Sequence, residues 1–322
     1  MDYTTLGRTG LGVSVAGLGC GGFSRLGLGT GGDEAGAIAI VRGAIELGVN
    51  LFDTAAAYGT ENVLGRAIKS VPRDQIVICT KAPFRWSTGR ADPAGIVASL
   101  DESLRQLDLD CIDVYQLHGI APEHYDHALN ELAPVLLRER DKGKFRFLGI
   151  SETAPHDLNH DALHQAARDK VWDVCMVGFS MLHQNARARV FPETRAHGLG
   201  TLLMFAVRNI FSQPGRLAAT LKELAEDGQI AADLADDPLG FLVHPGGASS
   251  VVDAAYRYVR HEPGVDVVLF GTGKPDHLKT NIDSLLKPAL PEADHRRIGE
   301  LFGHLVGVGL DAPHLTRAGQ VR

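Results

Sequence analysis

Four side chains in this sequence could together move a proton. The stretch VNLFD ends in Asp53, and the segment DTAAAYG that it opens carries Tyr58 just beyond. QIVICTK ends in Lys81, and CIDVYQLH ends in His118. Taken singly, each has a plain structural use: a solvated lysine, a satisfied histidine, a packing tyrosine. Taken together they form a device. A phenol with an unperturbed pKa near 10 is a sluggish acid and base at neutral pH. A lysine ammonium beside it favours the phenolate and lowers that pKa. A carboxylate paired with the lysine holds it charged and in place. A histidine near the phenol hydrogen-bonds the substrate oxygen or relays a proton. The chemistry served is carbonyl reduction or its reverse, with hydride reaching carbon and a proton reaching oxygen.

Those residues need elements that bring them to one place. β-rich runs fall at 13–18, 49–53, 75–81, 111–118, 145–151, 172–179, 200–207 and 265–271. Between and after them lie stretches with helical spacing at 34–48, 61–71, 93–109, 128–143, 158–169, 188–198, 249–264 and 275–286. Repeated βα units without a linker between halves predict an α/β fold, a single-domain (β/α)8 TIM barrel over 1–322. In such barrels the chemistry sits at the C-terminal ends of the strands, where Asp53, Lys81 and His118 fall. The segment of about 208–248 is too long for an ordinary connection. It reads as a loop and helical insertion, at the functional face or as a solvated decoration.

GLGCGGFSRLGLGTGG, residues 17–32, contains GxGxxG twice. A dinucleotide-binding turn of the Rossmann type needs a strand directly before its glycines and a helix directly after. The first copy has only the strand and the second only the helix. The run is therefore expected to be the first βα loop of the barrel mouth, with Gly21, Gly22 and Phe23 near cofactor and substrate. A net charge of −7 without a basic cluster argues against a nucleic-acid surface. No apolar run approaches the roughly 18 residues of a membrane span, and MDYTTLGRTG does not read as a signal peptide. Cys20, Cys79, Cys111 and Cys175 form no CxxC, so neither a disulfide framework nor a metal site is expected, and a cytoplasmic setting fits.

LFDTAAAYGTENVLGRAI resembles the signature of the aldo-keto reductase superfamily. The resemblance extends to TKA with Lys81, DVYQLH with His118, FLGIS with Ser151, VDAAYRYV and FGTGKPDHLKTNID. It implies the (β/α)8 barrel and an NAD(P)(H)-dependent oxidoreductase interconverting a carbonyl (an aldehyde, ketone, sugar or lactol) and an alcohol. Tyr58 would be the general acid in reduction and the base in oxidation. Lys81 would lower its pKa, Asp53 would support Lys81, and His118 would orient the carbonyl or assist proton transfer. The nicotinamide supplies the hydride, so no metal is required.

At the cofactor end the sequence departs from the family. Ser151 matches, but Glu152 stands where Asn is usual, and Met176 takes the place of a Gln on the sixth strand. The aromatic that stacks on the nicotinamide has Met204 or Phe205 as its nearest counterpart. Gly271, Thr272, Gly273, Lys274, His277 and Asn281 fall on the segment that binds the adenosine end, where a Gly-rich turn leads into a helix N-terminus suited to phosphate. The family's strong NADP selectors are replaced by Gly271 and His277, and NADP(H) is favoured over NAD(H) only slightly, on the family majority. Phe23, Phe84 and Trp86 are expected to line the pocket of a small neutral substrate, and a homo-oligomer stays open. Two other functions remain: a redox-neutral elimination or epimerisation that uses the same cofactor, and a non-catalytic redox-sensing subunit.

Overall fold

A computed structural model describes residues 1–83, 85–86, 89–237 and 239–311. Eight parallel strands close into a barrel. In chain order they are Ala16–Gly19, Leu51–Asp53, Val77–Pro83, Ile112–Ile120, Phe145–Glu152, Val174–Gly178, Gly200–Met204 and Val267–Phe270. Each pairs with the next, and the last closes on the first through Val268↔Ala16 and Phe270↔Leu18. The predicted (β/α)8 fold is the observed one.

Local sequence sets the helix ends. Asp33 caps Glu34–Glu46 by accepting from the Gly36 amide at 2.8 Å. Asp92 does the same for Pro93–Leu107, where Pro93 fills the first turn without losing a needed donor. Ser250 caps Val251–Arg260. The remaining surrounding helices are Glu61–Ile68, Ala133–Asp141, Asp161–Ala166, Phe191–His197 and Pro275–Leu286.

Side chains alternate between two cores because successive strand residues face opposite ways. Leu51, Val77, Cys79, Val114, Val174, Met176, Leu202 and Val267 fill the barrel interior. Phe52, Ile78, Tyr115, Leu117, Leu148, Ile150 and Val268 pack outward on the helices. The expected first strand, 13–18, is divided. Gly12–Ser14 pairs antiparallel with Tyr3–Thr5, and only Ala16–Gly19 belongs to the barrel. This hairpin carries Leu6, Leu11 and Val13 into the interior core and so plugs the end away from the catalytic strand ends.

Two features lie beyond the regular units. The 208–248 segment folds into Asn209–Ser212, Arg216–Glu226 and short 3-10 turns. A further helix, Glu292–Phe302, leads to a stretch that returns to the mouth, where Leu310 packs with Ala154 and Phe205.

Candidate active site

The second, third and fourth strands lie side by side, and their registers stagger three inward-facing polar residues around the rim. Asp53 pairs with Cys79, Lys81 with Gln116, and Pro83 with His118. The Lys81 Nζ donates to both carboxylate oxygens of Asp53, each at 2.7 Å, and to the Thr54 carbonyl at 2.7 Å. Lys81 has no exposed surface and Asp53 is 4% exposed. Burial alone disfavours the ammonium. The Asp53 carboxylate outweighs that, and the Lys81 pKa lies above its ordinary value.

The rest of DTAAAYGT positions Tyr58. The Thr54 and Thr60 hydroxyls bond each other at 2.9 Å, and Thr60 donates to the Cys20 carbonyl at 3.1 Å. The loop is thereby tied to the end of the first strand. Ala56–Tyr58 forms one tight turn that Gly59 ends at φ +68°, a left-handed conformation that glycine adopts without steric cost. Glu61 accepts from the Thr80 hydroxyl at 2.6 Å, which anchors the following helix to the lysine strand. Glu61 is therefore tied up in holding the fold.

The Tyr58 hydroxyl lies 3.4 Å from His118 Nε2, and the Lys81 Nζ is 5.2 Å from the centre of the tyrosine ring. Burial raises the phenol pKa, Lys81 lowers it, Asp53 raises it again, and Arg208 lowers it. The net direction is upward. The downward influence expected of Lys81 is present, but it does not set the net direction. Burial prevails, and Asp53 opposes part of the lysine charge.

Gly21 meets the Tyr58 ring. A Cβ built there would lie 2.4 Å from the ring edge. Gly21→Ala should therefore leave the fold intact and displace the phenol, lowering kcat roughly ten- to a hundredfold. Steady-state kinetics beside a melting curve checks this.

A cleft of about 260 Å³ opens beside Tyr58 and Asp53. Gly21, Gly22, Phe23, Met176, Phe205 and Gly271, all expected at the site, line it. Met204 and Leu269 join Met176 in an apolar floor. Ser151 is buried, and its Oγ accepts from the Gly119 amide at 2.9 Å. Glu152 faces the other way from Ser151. One of its oxygens accepts from the Gly178 amide at 2.7 Å and the other lies 2.8 Å from His160 Nδ1.

Along the outer edge, Thr272 Oγ1 accepts from the Lys274 amide at 3.0 Å, and Gly273 packs against the backbone of Gly27. Lys274 and His277 are exposed and Asn281 is partly so, on or just before the helix Pro275–Leu286. Phe84 and the side chain of Trp86 lie outside the described residues. Arg208 also lines the cleft, a residue that the sequence reading passed over. Its only signal in the sequence is a basic residue directly after the seventh strand. A separate depression between Glu61–Ile68 and Pro93–Leu107, lined by Asn62, Arg66, Lys69 and Arg105, is remote from this site. Among the described residues, no three His, Cys, Asp or Glu side chains are grouped so as to hold a metal ion.

The sequence model of the aldo/keto reductase family matches residues 17–302. The chain belongs to the aldo/keto reductase family. It is 28% identical over 299 residues to the aldo-keto reductase YhdN of Bacillus subtilis, covering 87% of each chain. It is 39% identical over 211 residues to an L-galactose dehydrogenase of Arabidopsis thaliana, covering 63% of this chain and 64% of that one. The fold matches that of aldo-keto reductase AKR11C1 from Bacillus halodurans, in its holo form, with a TM-score of 0.75 and 23% identity over 97% of this chain and 100% of the other. Aldo/keto reductases are NAD(P)-dependent oxidoreductases.

The family's cofactor fits the cleft in this structure. The apolar floor suits a flat ring, and the side-chain-free rim at Gly21, Gly22 and Gly271 leaves room for backbone approach. The start of the helix at Pro275 is exposed, where free amides and the helix dipole favour phosphate. Glu152 is buried, with its two oxygens against the Gly178 amide and His160.

Proposed function

We propose that this aldo/keto reductase interconverts a small carbonyl compound and its alcohol at the Tyr58 hydroxyl. The observation that carries the reading is the Tyr58–His118 contact of 3.4 Å at the rim, above the buried Lys81–Asp53 pair and beside the cleft. In reduction, the phenol gives its proton to the carbonyl oxygen while His118 holds that oxygen by hydrogen bonding. In oxidation, the phenolate takes the alcohol proton. The charge of Lys81 limits the cost of that phenolate, and Asp53 fixes the lysine. The nicotinamide, when bound, supplies the hydride to the carbonyl carbon or takes it back.

Gly21, Gly22, Ser151, Met176 and Phe205 would surround the nicotinamide end. Gly271, Thr272, Gly273, Lys274, His277 and Asn281 would take the adenosine end, with NADP(H) slightly favoured over NAD(H). Phe23, Phe84 and Trp86 would enclose the substrate. The relative named as an L-galactose dehydrogenase supports including aldoses among the substrates. Four free thiols support a reducing compartment such as the cytoplasm. Among the described residues, no helix is long and apolar enough to cross a membrane.

Following NADPH and NADH absorbance separately against panels of aldehydes, ketones, aldoses and alcohols tests the reading. Stoichiometric cofactor conversion with at least one carbonyl–alcohol pair is expected. No conversion with any of them, in either direction, would overturn it.

A further inference from the structure

Arg208 enters the cleft mouth from the loop that follows the seventh strand, Gly200–Met204. Its guanidinium carbon lies 4.0 Å from the centre of the Phe205 ring and 5.9 Å from that of Phe23. A Cβ on Gly22 would come 3.3 Å from its Nη1. The guanidinium is thus held against an aromatic face, between the loops that follow the first and seventh strands. Stacking of this kind fixes its plane without using its N–H donors.

Those donors are idle. The guanidinium makes no hydrogen bond to any described residue, and its Nε is buried without a partner. A buried guanidinium edge without an acceptor costs free energy. Asp311, from the stretch that returns across the mouth, is the carboxylate whose charge it feels most, yet the two form no ion pair. The Asp311 Oδ2 is itself buried without a partner. Asn209 and Ser212 border the same space. Two opposite charges therefore share one mouth without touching, and Arg208 lines the cleft.

We propose that Arg208 is the anion receptor of this cleft and binds a phosphate or carboxylate oxygen carried by the cofactor or by the substrate. This rests on the oxidoreductase reading above. A guanidinium offers two parallel N–H groups to such an oxyanion and binds it more strongly than a neutral acceptor. If the anion belongs to the substrate, the enzyme prefers acidic carbonyl compounds, in contrast to the neutral substrate expected from the sequence. If it belongs to the cofactor, Arg208 clamps the phosphates from the insertion side of the mouth.

Calorimetric titration of the full-length wild type and Arg208→Ala distinguishes the sources. The ligands are NADPH, NADH, inorganic pyrophosphate, and the pair 4-carboxybenzaldehyde and benzaldehyde added to the cofactor-loaded protein. Loss of at least about tenfold in dinucleotide and pyrophosphate affinity assigns the anion to the cofactor. Unchanged dinucleotide affinity with about a tenfold loss confined to the carboxylated aldehyde assigns it to the substrate. Wild-type affinity in every arm, or no binding of any of these ligands to the wild type, overturns the proposal. The pyrophosphate arm needs no turnover, so it stands even if the carbonyl screen fails.

Should Arg208→Ala not fold, Asp311→Asn carries the test. Removing the opposing carboxylate must tighten binding of the responsive anion by roughly threefold, and an unchanged affinity overturns the proposal.

Discussion

Tyr58→Phe is expected to fold as the wild type does and to lose turnover by about 10²–10⁴-fold. The substitution keeps the ring that packs against Gly21 and removes only the hydroxyl, whose neighbour is His118 Nε2 at 3.4 Å. Cofactor affinity and the melting temperature should therefore hold while kcat falls, and full turnover in the variant would sink the assignment. The pH dependence of the wild type gives a second, signed check. Burial places the phenol pKa above its ordinary value despite the pull of Lys81 and Arg208. Reduction uses the protonated phenol, so its rate should stay flat through neutral pH and decline only above about pH 10. Oxidation uses the phenolate, so log kcat/KM should climb with a slope near 1 through neutral pH and show no plateau below about pH 10. In Tyr58→Phe that slope should vanish.

Much of this site was legible in the sequence, and the reason is local. A strand end is marked by a change in hydrophobic pattern, so Asp53, Lys81 and His118 could be placed on one rim before their contacts were known. DTAAAYG carried Tyr58 with it, because Gly59 and the paired Thr54 and Thr60 hydroxyls make the loop nearly self-defining. What stayed hidden depends on residues far apart in the chain. The division of 13–18 between a hairpin and a barrel strand follows from pairing with Tyr3–Thr5. The burial of Glu152 against His160 and the Gly178 amide needs three separate segments to meet. Arg208 became visible only when the loop holding Phe23 and the returning stretch with Leu310 and Asp311 closed around it. The balance at Tyr58 stayed hidden for a related reason. Residue types give the sign of each influence, but only packing tells how far burial outweighs a neighbouring charge.

The Lys81–Asp53 pair separates stability from function most sharply. In Asp53→Asn, a fully buried ammonium keeps the Thr54 carbonyl but loses the carboxylate it bonds through both oxygens. Breaking a buried pair from one side costs about 3–5 kcal/mol, which urea denaturation at neutral pH should read directly, and turnover should fall as well. The pH dependence should change form. In the wild type the Lys81 pKa is raised on folding, so its contribution is full below the unfolded value of about 10.4 and fades as pH rises through the higher folded value. Without Asp53, burial is the largest influence left, and it depresses the folded pKa. The unfolded chain then binds the extra proton, so the variant should gain stability as pH rises toward about 10. A double variant, Asp53→Leu with Lys81→Met, removes both charges and should recover most of the lost stability while remaining inactive. A single Asn variant as stable as the wild type, or a double variant that turns over, would show that the pair does not hold Tyr58 ready in the way its geometry implies.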